Sequence, residues 1–173
     1  MIKALVPDFG IKNIFELNID SILTKGFTHI FLDLDNTLDS YKTLTPSKRV
    51  KNFIDSCKEK GITPYIVSNN KSERVKNYGK ELGIEVFSSM NKPFKKRLNK
   101  LIEEKGIEKS KILMIGDQIF TDVWGGNNIG VTTLFVEPIV PEDQFVTKIK
   151  RPLEKIFKKK MNKKNLIKKW RNQ

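Results

Sequence analysis

The chain has 173 residues, a formal net charge of +13 and a single cysteine. This length suits one compact domain and leaves little for a second, and no apolar run approaches the roughly 20 residues that a membrane-spanning helix needs. One cysteine cannot build a disulfide framework, and the first residues lack the pattern of a secretory leader, so we expect a cytoplasmic protein.

The positive charge is concentrated at the carboxyl terminus. Residues 148–173 contain 12 basic residues and one acidic residue, a net charge of +11, whereas residues 1–147 have a net charge of +2. We therefore expect a main domain over residues 1–147 and a basic, helical tail over residues 148–173, in contact with a polyanion.

Apolar residues recur in this tail at helical spacing, with lysines between them. They are Ile149, Leu153, Ile156, Phe157 and Met161, loosely continued by Leu166, Ile167 and Trp170. The pattern is typical of a helix at an anionic membrane, which predicts peripheral contact with the inner membrane surface. A solvated lysine-rich end and contact with nucleic acid by charge alone are the alternatives.

Strand and helix patterns alternate along the main domain. The first 27 residues predict a short helical lead-in, capped by Asn18 or Asp20. We then expect strands and helices in alternation, namely strands at 28–34, 62–67, 84–87, 111–115 and 132–136 and helices at 46–60, 71–82, 93–105 and 119–127. This order predicts an α/β fold with a five-stranded parallel sheet and helices on both faces.

Two carboxylates end the first of these strands. Asp33 and Asp35 follow an apolar run, where packing alone does not call for acids. A carboxylate can attack phosphorus to form an acyl phosphate, and a second one can protonate the leaving group and later deprotonate water. Because the two carboxylates repel each other, one of them holds its proton more tightly and suits the role of acid.

Polar residues also follow the later strands, on the edge where open α/β sheets bind ligands. Ser68 and Asn69 offer a hydroxyl and an amide to phosphate, and Lys92 offers a positive charge. Asp117 is the expected further ligand of Mg²⁺, and Asp122 either supports the metal or orients a neighbouring side chain. Each residue alone fits a turn, a cap or a surface position, so the prediction rests on the ordered set.

The ordered motifs DLDNT, SNN, NKP and GDQIFTD resemble the haloacid dehalogenase superfamily of phosphohydrolases, over residues 28–137. The resemblance implies a Rossmann-like sheet and a Mg²⁺-dependent phosphatase. It also implies the following roles: Asp33 as nucleophile and metal ligand, Asp35 as acid/base with its backbone carbonyl on the metal, Ser68 and Lys92 on phosphate, and Asp117 on the metal.

A narrower resemblance covers the stretch GDQIFTDVWGGNNIGVTTLFVEPI together with Pro7-Asp8. Both are similar to the YqeG-type branch, which is related to mitochondrial phosphatases that act on phosphatidylglycerophosphate. The segment Asp39-Ser40-Tyr41 departs from the apolar residue expected after DLDNTL, and we expect it to add an acid near the mouth of the pocket.

The spacing of the motifs leaves no room for a cap domain. Only residues 39–45 separate the first motif from the next predicted helix, and residues 70–91 hold one helix and one strand. An open site suits a phosphate displayed on a large molecule. The hypotheses are therefore a phosphatidylglycerophosphate phosphatase, a capless phosphatase of nucleic-acid or protein phosphates with the tail as its electrostatic contact, or a non-enzymatic binding protein that keeps the fold.

Overall fold

The computed structural model describes residues 2–140, 152, 154, 156–161 and 166–172. Seven strands are formed in chain order: β1 (Phe9–Ile11), β2 (His29–Leu32), β3 (Thr63–Val67), β4 (Glu85–Phe87), β5 (Ile112–Gly116), β6 (Thr132–Val136) and β7 (Lys168–Lys169). Five α-helices lie between β1 and β6: α1 (Ile19–Thr24), α2 (Lys48–Glu59), α3 (Glu73–Leu82), α4 (Lys95–Lys105) and α5 (Trp124–Ile129). Residues 156–161 of the carboxyl-terminal segment are helical as well. A π-helical turn over Ile119–Val123 leads directly into α5.

The strands form one parallel sheet in the order β4-β3-β2-β5-β6-β1-β7. The predicted α/β class, with a parallel Rossmann-like sheet, is confirmed, but the predicted number of five strands is wrong. The two strands that were not predicted are β1 and β7, which have three and two residues. The middle residue of β1 is a glycine and β7 consists of two lysines, which are residue types depleted in strands, so both segments become strands because their neighbours in the sheet pair with them.

Alternating residues of the central strands point to opposite faces of the sheet. On β2, Ile30 and Leu32 join a core cluster with α1, α2 and α3, whereas Phe31 joins a second cluster with α4 and α5. All three side chains are fully buried. The continuous apolar run of this strand is thus explained, because a parallel sheet with helices on both faces buries both sets of side chains.

The helix boundaries follow local capping. The side chain of Asn18 accepts a hydrogen bond from Asp20 N at the start of α1, as the sequence predicts. Helix α2 begins after Ser47, whose hydroxyl caps Val50 N at 3.4 Å, and not after Thr45 as expected. Ser47 becomes the cap because its own N–H is held at 3.0 Å by the carboxylate of Asp39.

Residues 166–172 pack against the first strand and the first helix. The indole ring of Trp170 is buried, lies 5.2 Å from the ring of Phe9 in an edge-to-face arrangement and donates from Nε1 to Ser21 Oγ at 2.9 Å. Trp170 N also donates to Gly10 O at 3.0 Å. The end of the basic segment is therefore part of the sheet and core. Ile149 and Leu153, two residues of the predicted apolar stripe, lie outside what the structure describes.

We expect Trp170→Phe to lower the free energy of unfolding by about 1–3 kcal/mol, because Ser21 loses its indole donor and the smaller ring fills less of its pocket. Urea unfolding followed by circular dichroism measures this. Leu166→Ala is the matched control, since Leu166 belongs to the same segment but is 42% exposed. Equal free energies for the Trp170→Phe variant and the parent chain would contradict a structural role for this segment.

No element is inserted at the two positions where a cap domain was considered. Residues 39–47, all described, connect the end of β2 to α2 without a helix or a strand of their own, and residues 68–92 contain only α3 and β4. Among the described residues, no helix has the length and apolar character that crossing a membrane requires.

Candidate active site

The predicted site residues meet at the carboxyl edge of the sheet because β3, β2 and β5 are neighbours. Asp33 follows β2, and its backbone N–H donates to Ile115 O of β5 at 2.9 Å. Ser68 follows β3 and Asp117 follows β5. Leu34, between the two acids, points into the core with no exposed surface, which turns Asp33 and Asp35 away from that core.

Lys92 lies at the centre of the site. Its ammonium nitrogen Nζ is 2.8 Å from Asp33 Oδ1, 2.6 Å from Asp122 Oδ1 and 2.6 Å from Val67 O. Its side chain is 1% exposed. One buried cation thus joins two buried carboxylates and the last carbonyl of β3, which fixes the relative positions of three chain segments.

The side chain of Asn69 forms two hydrogen bonds with the backbone of Lys92. Its amide Nδ2 donates to Lys92 O at 3.0 Å, and its Oδ1 accepts from Lys92 N at 2.6 Å. From the sequence, we expected this amide to bind phosphate. The structure instead uses both of its polar atoms to position the loop that carries the lysine.

Asp122 contacts a side chain and a backbone group of the site. It pairs with Lys92, and its Oδ2 accepts a hydrogen bond from Gln118 N at 3.1 Å. Gly116 is required beside it, because a β-carbon on Gly116 would lie 2.3 Å from Asp122 Cγ. The π-helical turn over Ile119–Val123 brings Asp122 back to the strand end that carries Asp117.

Charge and burial act in opposite directions on the central ion pair. Burial raises the pKa of Asp33 well above its usual value, Lys92 opposes that rise, and the neighbouring acids Asp122, Asp117 and Asp35 add to it. Burial alone would lower the pKa of Lys92, but the carboxylates of Asp122 and Asp33 outweigh this effect and raise it. The lysine therefore keeps its positive charge between the carboxyl groups of Asp33 and Asp122.

Three of these carboxylates are placed to hold a metal ion. Oxygen atoms of Asp33, Asp117 and Asp122 all lie within 4.8 Å of one another, and all three residues are buried. Asp33 Oδ2 is buried and has no hydrogen-bond partner among the described residues. Thr37 Oγ1 donates to Asp117 Oδ1 at 3.3 Å and orients that side chain. An all-oxygen set with an unsatisfied buried carboxylate oxygen fits a hard divalent cation such as Mg²⁺.

Asp35 is held by two residues that the sequence motifs did not predict as its partners. Asn70 Nδ2 donates to Asp35 Oδ2 at 3.1 Å, and Arg74 Nη2 forms an ion pair with Asp35 Oδ1. Arg74 lies in the first turn of α3. A cation there is unfavourable for the helix dipole, and this local conflict is the signal that would have marked Arg74 as functional.

Ser68 and Asp39, the other two polar residues expected at the site, are both buried. Ser68 is buried, and its hydroxyl oxygen accepts from Asn70 N at 3.1 Å, which leaves its proton for an acceptor at the site. Asp39, expected near the pocket mouth, is only 6% exposed and accepts from Tyr78 Oη at 2.6 Å. That expectation was wrong, because the carboxylate faces inward and ties α3 to the start of α2.

Comparisons with known proteins found a family model and a relative that each match most of the chain. Residues 2–130 match the family model of the haloacid dehalogenase-like hydrolases. The chain is 35% identical over 153 residues to the probable phosphatase YqeG of Bacillus subtilis (strain 168). The aligned residues cover 88% of this chain and 89% of that protein.

Two more distant likenesses extend the comparison. Phosphatidylglycerophosphate phosphatase 1, chloroplastic/mitochondrial, of Arabidopsis thaliana is 26% identical over 177 residues, which cover 95% of this chain but only 50% of that protein. The crystal structure of an uncharacterized protein from Listeria monocytogenes serotype 4b superposes with a TM-score of 0.55 at 18% identity, over 68% of this chain and 85% of that one. The latter likeness concerns the fold.

Proposed function

The chain belongs to the haloacid dehalogenase-like hydrolases and is a phosphatase, and we propose that it hydrolyses phosphomonoesters through an aspartyl-phosphate on Asp33. The observation that carries this proposal is the state of the Asp33 carboxylate. One of its oxygens is bonded to Lys92 at 2.8 Å, and the other is buried without a hydrogen-bond partner among the described residues. A fixed, partly unsatisfied carboxylate at a strand end is suited to attack phosphorus.

In the first step, a carboxylate oxygen of Asp33 attacks phosphorus, and the bond between phosphorus and the alcohol oxygen breaks. The electron pair of that bond stays with the alcohol oxygen, and Asp35 gives it a proton. In the second step, Asp35 takes a proton from water, whose oxygen attacks the phosphorus. The bond to Asp33 then breaks, phosphate leaves, and both side chains return to their starting states.

The remaining site residues bind and orient the phosphoryl group. Ser68 donates its hydroxyl proton to a phosphoryl oxygen, and Lys92 keeps Asp33 in position while it lowers the negative potential that the incoming phosphate meets. Asp33, Asp117 and Asp122, with the backbone carbonyl of Asp35, would hold Mg²⁺. When bound, this ion supplies positive charge that stabilises the phosphoryl oxygens next to an anionic nucleophile.

For the substrate, we propose phosphatidylglycerophosphate. The likeness to the Arabidopsis phosphatidylglycerophosphate phosphatase supports this choice, although the chain spans only half of that protein. The open site supports it too, because residues 39–47 and 68–92 add no cap that would enclose a small metabolite. A terminal phosphate on a lipid head group reaches such a site from the surface of a membrane.

Phosphate release from phosphatidylglycerophosphate in mixed micelles tests this substrate. We expect a higher kcat/KM than for sugar phosphates, nucleotides and phosphorylated peptides, and we expect chelation of Mg²⁺ to abolish turnover. The second candidate is a phosphatase of nucleic-acid or protein phosphates, which the net charge of +11 on residues 148–173 favours. A preference for phosphorylated oligonucleotides or peptides over the lipid would reverse the order of the two candidates.

We expect Arg74→Met to lower kcat about tenfold with little change in KM, because Asp35 loses the cation that positions it while Ser68 and Lys92 are untouched. Arg74→Lys should recover part of the loss, since one donor to Asp35 Oδ1 remains. Steady-state kinetics with p-nitrophenyl phosphate and with an alkyl phosphate measure this effect. The loss should be greater for the alkyl phosphate, whose leaving group needs the proton of Asp35. An equal kcat for Arg74→Met and the parent chain on both substrates would rule out the positioning role.

A further inference from the structure

Large exposed apolar side chains are few in the described part of the chain. They are Leu44, which is 71% exposed, Phe94 at 65%, Ile156 at 63% and Leu166 at 42%. Single exposed apolar residues are normal on a protein surface, so their number does not indicate a binding site. Their location is more informative, because the three most exposed ones flank the catalytic edge of the sheet.

Leu44 lies on the loop that follows the catalytic strand. The two ends of this loop are tied together, because Asp39 Oδ2 accepts from Ser47 N at 3.0 Å. Inside the loop, Thr43 N donates to Ser40 O at 2.9 Å. The loop is thus a closed turn at the carboxyl edge, and it holds the 71% exposed Leu44 out into solvent.

Phe94 follows the central lysine of the site by two residues. It is the N-cap residue of α4, and its N–H donates to Asn91 O at 3.0 Å. Since Lys92 Nζ reaches Asp33, Phe94 lies two residues from a group at this edge of the sheet, and its side chain is exposed. An aromatic side chain at a cap position makes no side-chain capping bond here, so local helix stability does not explain it.

Ile156 is brought to the same edge by the carboxyl-terminal segment. The buried carboxylate of Glu154 accepts from Phe120 N at 3.1 Å, and the ring of Phe157 packs edge to face on Phe120 at 5.6 Å. Phe120 belongs to the π-helical turn that follows Asp117. Ile156, between these two contacts, remains exposed beside the turn. We call Leu44, Phe94 and Ile156 the apolar rim.

The exposed charges in the first turns of α2 and α4, which begin at this edge, are positive. The first turns of α2 and α4 contain no acidic residue, although negative charge is preferred there. Instead they carry exposed Lys48, Lys95 and Lys96, and the acid in the first turn of α3, Glu73, is paired with Lys76 at 2.7 Å. Lysines around exposed apolar side chains match a surface that is anionic at its head groups and apolar below them.

We propose that the apolar rim is the face with which this protein docks on an anionic lipid bilayer, so that the carboxyl edge of the sheet and Asp33 face the membrane surface. The inference rests on the proposed lipid substrate and adds to it a defined orientation at the membrane. Leu44 and Phe94 enter the interfacial region on opposite sides of the nucleophile, while the lysines at the helix starts contact lipid phosphates.

Co-sedimentation of the full chain with vesicles tests this docking without any hydrolysis. The vesicles are phosphatidylcholine with phosphatidylglycerol, and phosphatidylcholine alone serves as the uncharged comparison. We expect the double variant Leu44→Ser/Phe94→Ser to partition about tenfold less onto the anionic vesicles, because two apolar side chains no longer enter the interface. Leu166→Ser is the matched control, since Leu166 is exposed outside the rim, and we expect its partitioning to equal that of the parent chain. Thermal unfolding verifies that each variant is folded.

Each outcome decides the proposal. Weaker binding of the double variant with unchanged binding of Leu166→Ser supports it. Absence of binding by the parent chain, or an equal loss in all variants, overturns it, and so does sedimentation velocity showing a dimer of the parent chain that the double variant does not form. Docking through the rim without lipid hydrolysis would refute the proposed substrate alone, whereas hydrolysis in micelles without vesicle binding would refute the docking alone.

Discussion

Asp33→Asn is expected to lower kcat on every phosphomonoester by about 10⁴-fold or more, because an amide oxygen does not form the acyl phosphate on which the proposed reaction depends. Steady-state release of p-nitrophenol or phosphate measures the loss. The variant should still fold. Asparagine has the same shape, and its oxygen can still accept from Lys92, which keeps its ion pair with Asp122 at 2.6 Å.

The thermal midpoint of Asp33→Asn should remain within about 2–4 °C of the parent value, since a change of about 1 kcal/mol has that effect at this size. Two effects of the substitution oppose each other. Burial raises the pKa of Asp33, which means that the fold disfavours its charged form, and the amide removes this cost. The same amide weakens the pairing with Lys92.

Asp35→Asn is the matched control for the nucleophile. It keeps Asp33 and removes the acid/base. Transfer of the phosphoryl group from p-nitrophenyl phosphate to Asp33 should continue, because p-nitrophenolate leaves without needing a proton. Hydrolysis of the aspartyl-phosphate should slow, because no base takes a proton from the attacking water. We therefore expect a phosphorylated chain in the intact mass of Asp35→Asn and none in that of Asp33→Asn. Phosphorylation of Asp33→Asn, or turnover close to that of the parent chain, would reject Asp33 as the nucleophile.

The strands that the sequence predicted are those whose own residues specify them. The strands β2 and β5 are short apolar runs that are buried on both faces, and such runs can be recognised without any knowledge of their neighbours. The strands β1 and β7 cannot be recognised in this way. Lys168 and Lys169 of β7 are both exposed, and they form a strand because Trp170 beside them is buried against Phe9.

In the site, too, the positions of residues can be predicted from neighbouring residues, whereas their contacts with distant residues cannot. The position of Asp33 at a strand end follows from the local pattern and from the rule that ligands bind at the carboxyl edge of such sheets. The contacts that decide what each side chain does come from far along the chain. Asn69 binds the backbone of a residue 23 positions later, and Arg74 reaches back 39 positions to Asp35. A local conflict such as Arg74 in the first turn of a helix can mark a residue as functional, but a single sequence does not say which distant residue it binds.

Lys92→Met is expected to lower the free energy of unfolding by about 3–5 kcal/mol, the usual cost of removing one partner from a buried ion pair. The thermal midpoint should fall by about 10 °C. The carboxylates of Asp33 and Asp122 would remain buried without their cation, and Val67 O would lose its donor. Activity should fall with stability, because Asp33 is no longer held in position. Thermal and urea unfolding measure the loss of stability.

The double variant Lys92→Met/Asp122→Asn separates the charge effect from the loss of packing. Asparagine fits the tight approach of Asp122 to Gly116, and its oxygen can still accept from Gln118 N. If unpaired charge is the main cost, the double variant should be more stable than Lys92→Met by about 1–3 kcal/mol, although it carries one more substitution. A double variant that is less stable than Lys92→Met would mean that Lys92 stabilises the fold through packing and hydrogen bonds, and not by neutralising the two aspartates.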